Sequence, residues 1–248
     1  MKIDILASGS SGNCIAVRSG ETTILVDVGI AKTKIEKHLL EVGIRADQVN
    51  AIFITHAHCD HIKGLPLANK YRIPVYASES EWKSIKGVDE DLINAVKANV
   101  TIAAYPFVII PFGVHHDAFE PMGYTLTEVE TRKKAVICLD TGHVDDEMLR
   151  TMKDSDIYII EANHEPNMVD VSDYPNSVKA RIVSHIGHLS NEQTAEALKR
   201  LVKGKGERIY LTHLSRKNNL PALAEMTVKR ALKQNGFVAG RDYEIEVV

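Results

Sequence analysis

Apolar residues along this chain gather into short runs, each closed by Gly, Asn, Asp, Ser or Pro. Only a few stretches carry the wider spacing of an amphipathic helix. IDILAS at residues 3–8 reads as a strand, GSSGN turns the chain, and CIAVRS and TTILVDV supply two more strands. A helix is expected from Ala31 to Glu41, with Gly43 as its stop. NAIFIT at residues 50–55 is a buried strand, IKGLPLANKY a short helix or turn, VYAS a brief strand, and Glu79 to Lys86 a short helix. Strands return from Val100 with VTIAAY, FVIIPFGV, YTLTEVE and KAVICLD, the last two joined as a hairpin through TRKK. A short acidic helix around Asp145 to Met152 leads to the strand DIYIIEA. RIVSHIGHLS then opens a helix from about Asn191 to Val202, where Ser190 and Gln193 have the spacing of a capping box. RIYLTH at residues 208–213, a helix near Pro221 to Gln234 and the strand DYEIEVV complete the pattern.

Many short strands in two clusters, each followed by helices, match neither a regular βαβα alternation nor an all-β sandwich. The pattern predicts an α+β chain of two β-rich halves packed face to face with helices outside, an αββα layering. No low-complexity linker or composition break divides residues 1–248, so a single domain is expected.

The chemistry concentrates where the run NAIFIT ends, in THAHCDHI, which places His56, His58, Asp60 and His61 within six residues. In extended backbone His56 and His58 point to the same side, while Asp60 and His61 follow at a turn. That spacing provides two imidazoles for one metal and a carboxylate–imidazole pair for another. Four ligands do not complete two metal shells, and further candidates stand at the ends of later apolar runs: His115 and His116, Asp140, and His213. Imidazole and carboxylate donors without thiolates suit Zn²⁺, with Mn²⁺ or Fe²⁺ as other occupants.

The T-H-x-H-x-D-H pattern, followed by His116, Asp140 and His213 in order, resembles the signature of the metallo-β-lactamase superfamily. The resemblance implies an αββα four-layer sandwich with two divalent metal ions at one edge. His56, His58 and His116 would hold one ion and Asp60, His61 and His213 the other, with Asp140 bridging; His115 stands second to His116. An Asp bridge is a feature of the superfamily's phosphodiesterases, nucleases and thioesterases rather than of its lactamases. The segments GSSGN, VHHDAFEPMGY, EANHE, GHLSN and THLSRKNN further resemble the WalJ/YycJ branch of bacterial exonucleases, which implies a 5′ to 3′ DNA exonuclease. A metal-bridging hydroxide would attack phosphorus in line, with Asp60 as proton acceptor and His164 or His188 as donor to the leaving oxygen. His143 is expected to orient a ligand, His185 to be a core or supporting residue, and His38 to be exposed.

Composition trims the alternatives. Histidine is the over-represented type, with 11 in 248 residues, whereas 30 basic against 33 acidic residues give a net charge of −3 and no global nucleic-acid coat. A local basic strip from Lys199 to Lys217 is still available to track a DNA backbone, with RNA or a small phosphodiester as alternative substrates. Three widely spaced cysteines, no apolar leader and no membrane-length apolar stretch predict a cytoplasmic protein. Hydrolysis of a small ester, thioester or cyclic phosphodiester is the competing enzymatic reading, and a non-catalytic metal-binding module is the third.

Overall fold

A computed structural model describes all residues, 1–248. The chain forms two compact units. The first comprises residues 1–111, 118–122 and 128–131, and the second residues 112–117, 123–127 and 132–248. In chain order the first half carries β1 (Lys2–Ala7), β2 (Cys14–Ser19), β3 (Thr22–Val26), α1 (Lys32–Glu41), β4 (Val49–Phe53), α2 (Cys59–Ile62), α3 (Pro66–Tyr71), β5 (Val75–Ser78), β6 (Ile93–Val96), β7 (Ile102–Ala104) and β8 (Phe107–Gly113). Then follow β9 (Met122–Glu128), β10 (Lys134–Cys138), α4 (Asp146–Met152), β11 (Ile157–Glu161), α5 (Pro166–Val171), α6 (Asn176–Ile182), α7 (Asn191–Leu201), β12 (Glu207–Thr212), α8 (Pro221–Gln234) and β13 (Tyr243–Val247).

In the first unit six strands pair in sequence order, β1 to β6. The β1–β2–β3 meander is antiparallel, and β3 through β6 run parallel. Parallel central strands are covered on both faces, which is why TTILV and VNAIF read as nearly continuous apolar runs rather than alternating ones. Leu25, Ile52 and Ile54 are fully buried there against Ile35 and Leu39 of α1. The carboxyl ends of β3, β4 and β5 deliver Asp27, the HAHCDH segment and Glu81 in turn.

The second unit repeats this logic. β9 and β10 form the antiparallel hairpin expected through TRKK, while β10, β11, β12 and β13 are parallel neighbours. Parallel neighbours need crossovers, and α4, α5 to α7, and α8 supply them. Helices α7 and α8 bury Leu198, Leu201, Val228 and Leu232 against Ile160, Ile209 and Leu211. The capping box at α7 is formed: Gln193 N donates to Ser190 Oγ at 3.2 Å, and Ser190 N donates to Gln193 Oε1 at 2.8 Å.

Three details depart from expectation. The helix predicted over Glu79 to Lys86 is only a 3₁₀ turn at Glu81–Lys83. The edge strand β6 was not apparent because only Val96 of its four residues is buried. Helices α5 and α6 are short and lack an apolar stripe: one buried residue in the first, none in the second. No helix is long and apolar enough to cross a membrane.

Candidate metal centre

Within the first unit, HAHCDH leaves β4 extended and then coils into the single turn of α2. The same-side expectation for His56 and His58 holds, since His56 Nε2 and His58 Nδ1 are 2.9 Å apart. Asp60 and His61 sit in α2 rather than in an open turn, with His61 Nε2 3.8 Å from Asp60 Oδ2. The His61 ring is fixed from behind. His61 Nδ1 lies 2.7 Å from Asp27 Oδ2, and both side chains are wholly buried. Asp27 also accepts from Thr55 N at 2.8 Å and Thr55 Oγ1 at 2.9 Å. A carboxylate facing Nδ1 draws the ring proton there and leaves Nε2 as the basic nitrogen, the tautomer a metal ligand requires. Glu81, 1 % exposed, accepts from Ala57 N at 2.8 Å and Glu120 N at 2.7 Å, which holds the backbone between His56 and His58.

The GSSGN turn supports this segment. Asn13 N donates to Asp60 O at 2.8 Å, and Asn13 Nδ2 meets His61 Nε2 at 3.1 Å. Gly29 closes the arrangement, since a Cβ there would stand 1.6 Å from Asp60 O and 2.6 Å from Asn13 N. Gly29→Ala is therefore expected to push α2 aside, lowering stability by about 1–3 kcal/mol. Metal retention should fall with it; thermal melts and metal analysis after dialysis check both.

In the second unit the candidates cluster at the carboxyl ends of parallel strands, where open α/β sheets place their ligands. Asp140 follows β10, Glu161 ends β11 and His213 follows β12. With His188 they form a group whose ligand atoms all lie within 4.8 Å of one another. His213 Nδ1 is 3.0 Å from Asp140 Oδ1, and His116 Nε2 is 3.7 Å from Asp140 Oδ2 and 3.2 Å from Asp117 Oδ1. His116 Nδ1 faces Gly187 O at 3.0 Å, so its Nε2 is again the basic nitrogen. Burial also holds the His116 ring below its ordinary pKa, in the neutral form that ligates metal. Asp27, Asp140 and His213 all adopt positive φ, at 58°, 40° and 55°. Non-glycine residues pay for that conformation, and such strain gathers at functional positions.

The sequence reading did not single out Asp27, Glu81 or Glu161. Glu161 is fully buried and accepts from Thr141 N at 2.6 Å and Leu189 N at 3.2 Å. Its other oxygen lies 3.1 Å from His188 Nδ1 and 3.4 Å from His213 Nδ1. Burial opposes its ionisation, yet the adjoining His188 holds the carboxyl below its usual range. The reverse holds for His188: burial disfavours the charged ring, but Glu161 outweighs that and raises its pKa.

His164 differs. It is 2 % exposed, its Nδ1 has no hydrogen-bond partner, and burial pushes its pKa down to about 4. Above pH 6.5 this ring is neutral in folded and unfolded chain alike. Between there and about pH 4 the unfolded chain gains a proton that the folded chain refuses, so stability falls as pH falls. The loss is on the order of 3 kcal/mol across that window. Denaturant melts of chelator-treated protein should show it, and His164→Asn should flatten that limb.

Other expectations sort as follows. His185 is exposed rather than a core residue, and Cys59 is exposed as well, whereas Cys14 and Cys138 are buried. The first amides of α7 are engaged within the chain, Asn191 N by His164 O and Gln193 N by Ser190 Oγ. In the basic strip, Arg200 pairs with Asp146 and Lys217 with Asp173, the contacts of a solvated face.

Residues 22–214 match the model of the beta-lactamase superfamily domain. The chain belongs to the metallo-β-lactamase superfamily. Its α+β fold is the sandwich type that the resemblance implied, and a solved metallo-β-lactamase fold protein, YhfI from Bacillus subtilis, superposes with a TM-score of 0.75 at 17% identity, covering 99% of this chain and 95% of that one. Similarity in sequence extends over the whole chain. Exodeoxyribonuclease YycJ of Bacillus anthracis is 36% identical across 99% of this chain and 94% of its own length. Exodeoxyribonuclease WalJ of Streptococcus pneumoniae is 38% identical across 98% and 93%. Family membership and the His/Asp/Glu clusters support a metal-dependent hydrolase with a binuclear site for divalent ions.

Proposed function

We propose that the protein is a binuclear metal-dependent phosphodiesterase that degrades DNA from the 5′ end. The observation that carries the reading is the group Asp140, Glu161, His188 and His213, whose two carboxylates and two imidazoles bring their donor atoms within 4.8 Å of one another. Full-length similarity to two exodeoxyribonucleases supports DNA as substrate. The ligand assignment follows the sequence resemblance: His56, His58 and His116 for one ion, Asp60, His61 and His213 for the other, and Asp140 between them. The donor set fits the group, because candidate imidazoles in each unit are buried with Nδ1 bonded to an oxygen and Nε2 left basic. Imidazole and carboxylate donors suit Zn²⁺ or Mn²⁺, with Fe²⁺ as a further occupant. Three free cysteines support a reducing, cytoplasmic location.

Bound at these residues, two divalent ions would supply charge stabilisation at phosphoryl oxygens and would acidify a water molecule. The chain's own residues do the rest. Asp60, partly exposed beside His61, accepts the proton of the attacking water in this reading. His188 donates to the leaving oxygen: Glu161 raises the pKa of its ring, whereas burial pushes that of His164 down to about 4, which leaves His164 uncharged near neutral pH. Glu161 positions both His188 and His213 through one oxygen while its other is locked by two backbone amides.

The test is a substrate panel run on metal-reconstituted wild type and Asp60→Ala. The panel holds 5′-labelled single-stranded DNA, the matching RNA, a small phosphodiester and a thioester. Shortening of the DNA by wild type alone supports the proposal. Turnover confined to the small diester or thioester would make the protein a small-molecule hydrolase, and metal uptake without turnover a binding module.

A further inference from the structure

A second cluster of ligand-type side chains lies outside the seven residues assigned above. His115, His143 and Asp145 each offer a donor atom, and the three donors lie within 4.8 Å of one another. We propose that these residues form a third, solvent-accessible site for a late first-row divalent cation such as Zn²⁺, which braces the loop carrying His116 against the loop carrying Asp140.

The geometry is that of prepared ligands. His115 Nε2 lies 2.8 Å from Asp145 Oδ2, and the His115 and His143 rings stack with centroids 3.9 Å apart. His143 Nδ1 faces His185 O at 2.9 Å, so Nδ1 carries the proton and Nε2 keeps its lone pair, the outer hydrogen bond that metal-binding histidines use. Asp145 divides its labour: Oδ1 accepts from Met148 N at 2.8 Å as the cap of α4, leaving Oδ2 for the cluster. The backbone beneath is tied. Gly142 N donates to His115 O at 2.8 Å, His115 N to Thr141 Oγ1 at 3.0 Å, and Thr141 Oγ1 to His143 O at 2.8 Å. Gly142 is required for this approach, since a Cβ there would fall 2.3 Å from the carbonyl carbon of His185.

Two imidazoles and one carboxylate favour Zn²⁺, Ni²⁺ or Cu²⁺ over Mg²⁺ or Ca²⁺, which prefer all-oxygen shells. One ring must turn out of the His115–His143 stack for both lone pairs to meet one ion at the roughly 2.0–2.2 Å that zinc requires, and the half-exposed setting leaves room for that turn. All three side chains are half-exposed, so solvent completes the shell and the ion exchanges freely.

Equilibrium dialysis of the full chain against a series of free Zn²⁺ concentrations tests it. Wild type should bind one equivalent more than Asp145→Asn or His143→Asn, with the weakest step of the isotherm lost and the tighter steps unchanged. Asn retains the capping oxygen at position 145, so that variant keeps α4 and its thermal stability without added zinc. With Co²⁺ as probe, the visible absorption added by the last equivalent should vanish in both variants. Superposable isotherms and spectra for wild type and variants overturn the proposal. Absence of the tighter equivalents from every protein would refute the binuclear reading instead, and leave the one-equivalent difference intact.

Discussion

Asp27→Asn is expected to cost the protein one bound ion and nearly all hydrolysis while leaving its size and fold in place. Asp27 accepts three buried hydrogen bonds, from Thr55 N, Thr55 Oγ1 and His61 Nδ1, at 2.7–2.9 Å. An asparagine can keep its oxygen toward Thr55 but must then present an NH₂ group to His61 Nδ1. Two donors cannot face each other in a buried site, so the His61 proton moves to Nε2 and blocks the nitrogen assigned to the metal. Loss of such an outer partner lowers metal affinity or activity by about 10- to 100-fold. Asp27→Ala should do worse, because it leaves Thr55 N buried without an acceptor, at about 1–3 kcal/mol for the amide alone. Metal content after dialysis, set beside hydrolysis at saturating metal, separates the two effects. Unchanged content in Asp27→Asn would remove the residue from the site.

Glu161→Gln should separate chemistry from binding. The amide oxygen can still accept from Thr141 N and Leu189 N, so the strand end keeps its shape. What disappears is the charge facing His188 Nδ1 at 3.1 Å, which raises the pKa of that ring. With the raising influence gone, the His188 pKa falls and the limb of the kcat profile that reports the protonated acid moves to lower pH. At neutral pH kcat should drop by about 10²–10⁴-fold, the span of a general acid's contribution, with KM little altered. His164→Asn should leave that limb where it is. A pH profile identical to wild type in Glu161→Gln would shift the proton-donor assignment away from His188.

These two residues show where reading the chain stopped. The ligand candidates were legible because metal chemistry draws on few residue types and because HAHCDH packs four of them behind one apolar run. The later candidates were legible by position, each at the end of a strand-like run. Asp27 and Glu161 also stand at strand ends, in TTILVDV and DIYIIEA, but a lone carboxylate after an apolar run has no local mark of importance. Its meaning comes from a ring 34 residues away for Asp27 and 27 for Glu161, distances along the chain at which no periodicity survives. Glu81 was hidden further by its place in a segment that reads as an exposed helix, although it is among the least exposed carboxylates. Helices α5 and α6 escaped because hydrophobic periodicity finds helices that bury a stripe, and these bury one residue or none.

From composition and order alone, the chain dictates its α+β class, the hairpin through TRKK, the capping box at Ser190 and the identity of its metal-ligand candidates. Each of these follows from local periodicity or residue chemistry, which are properties of neighbours in sequence. Folding decides what the same groups are able to do. It buries Asp27 and Glu161 so that their charges act on particular ring nitrogens, and it separates His188, whose pKa is raised, from His164, whose pKa is pushed down. It also gathers His115, His143 and Asp145 into a cluster that no motif announces. Proton positions and pKa values depend on burial and on hydrogen bonds across loops, and those exist only once strands far apart in sequence end side by side.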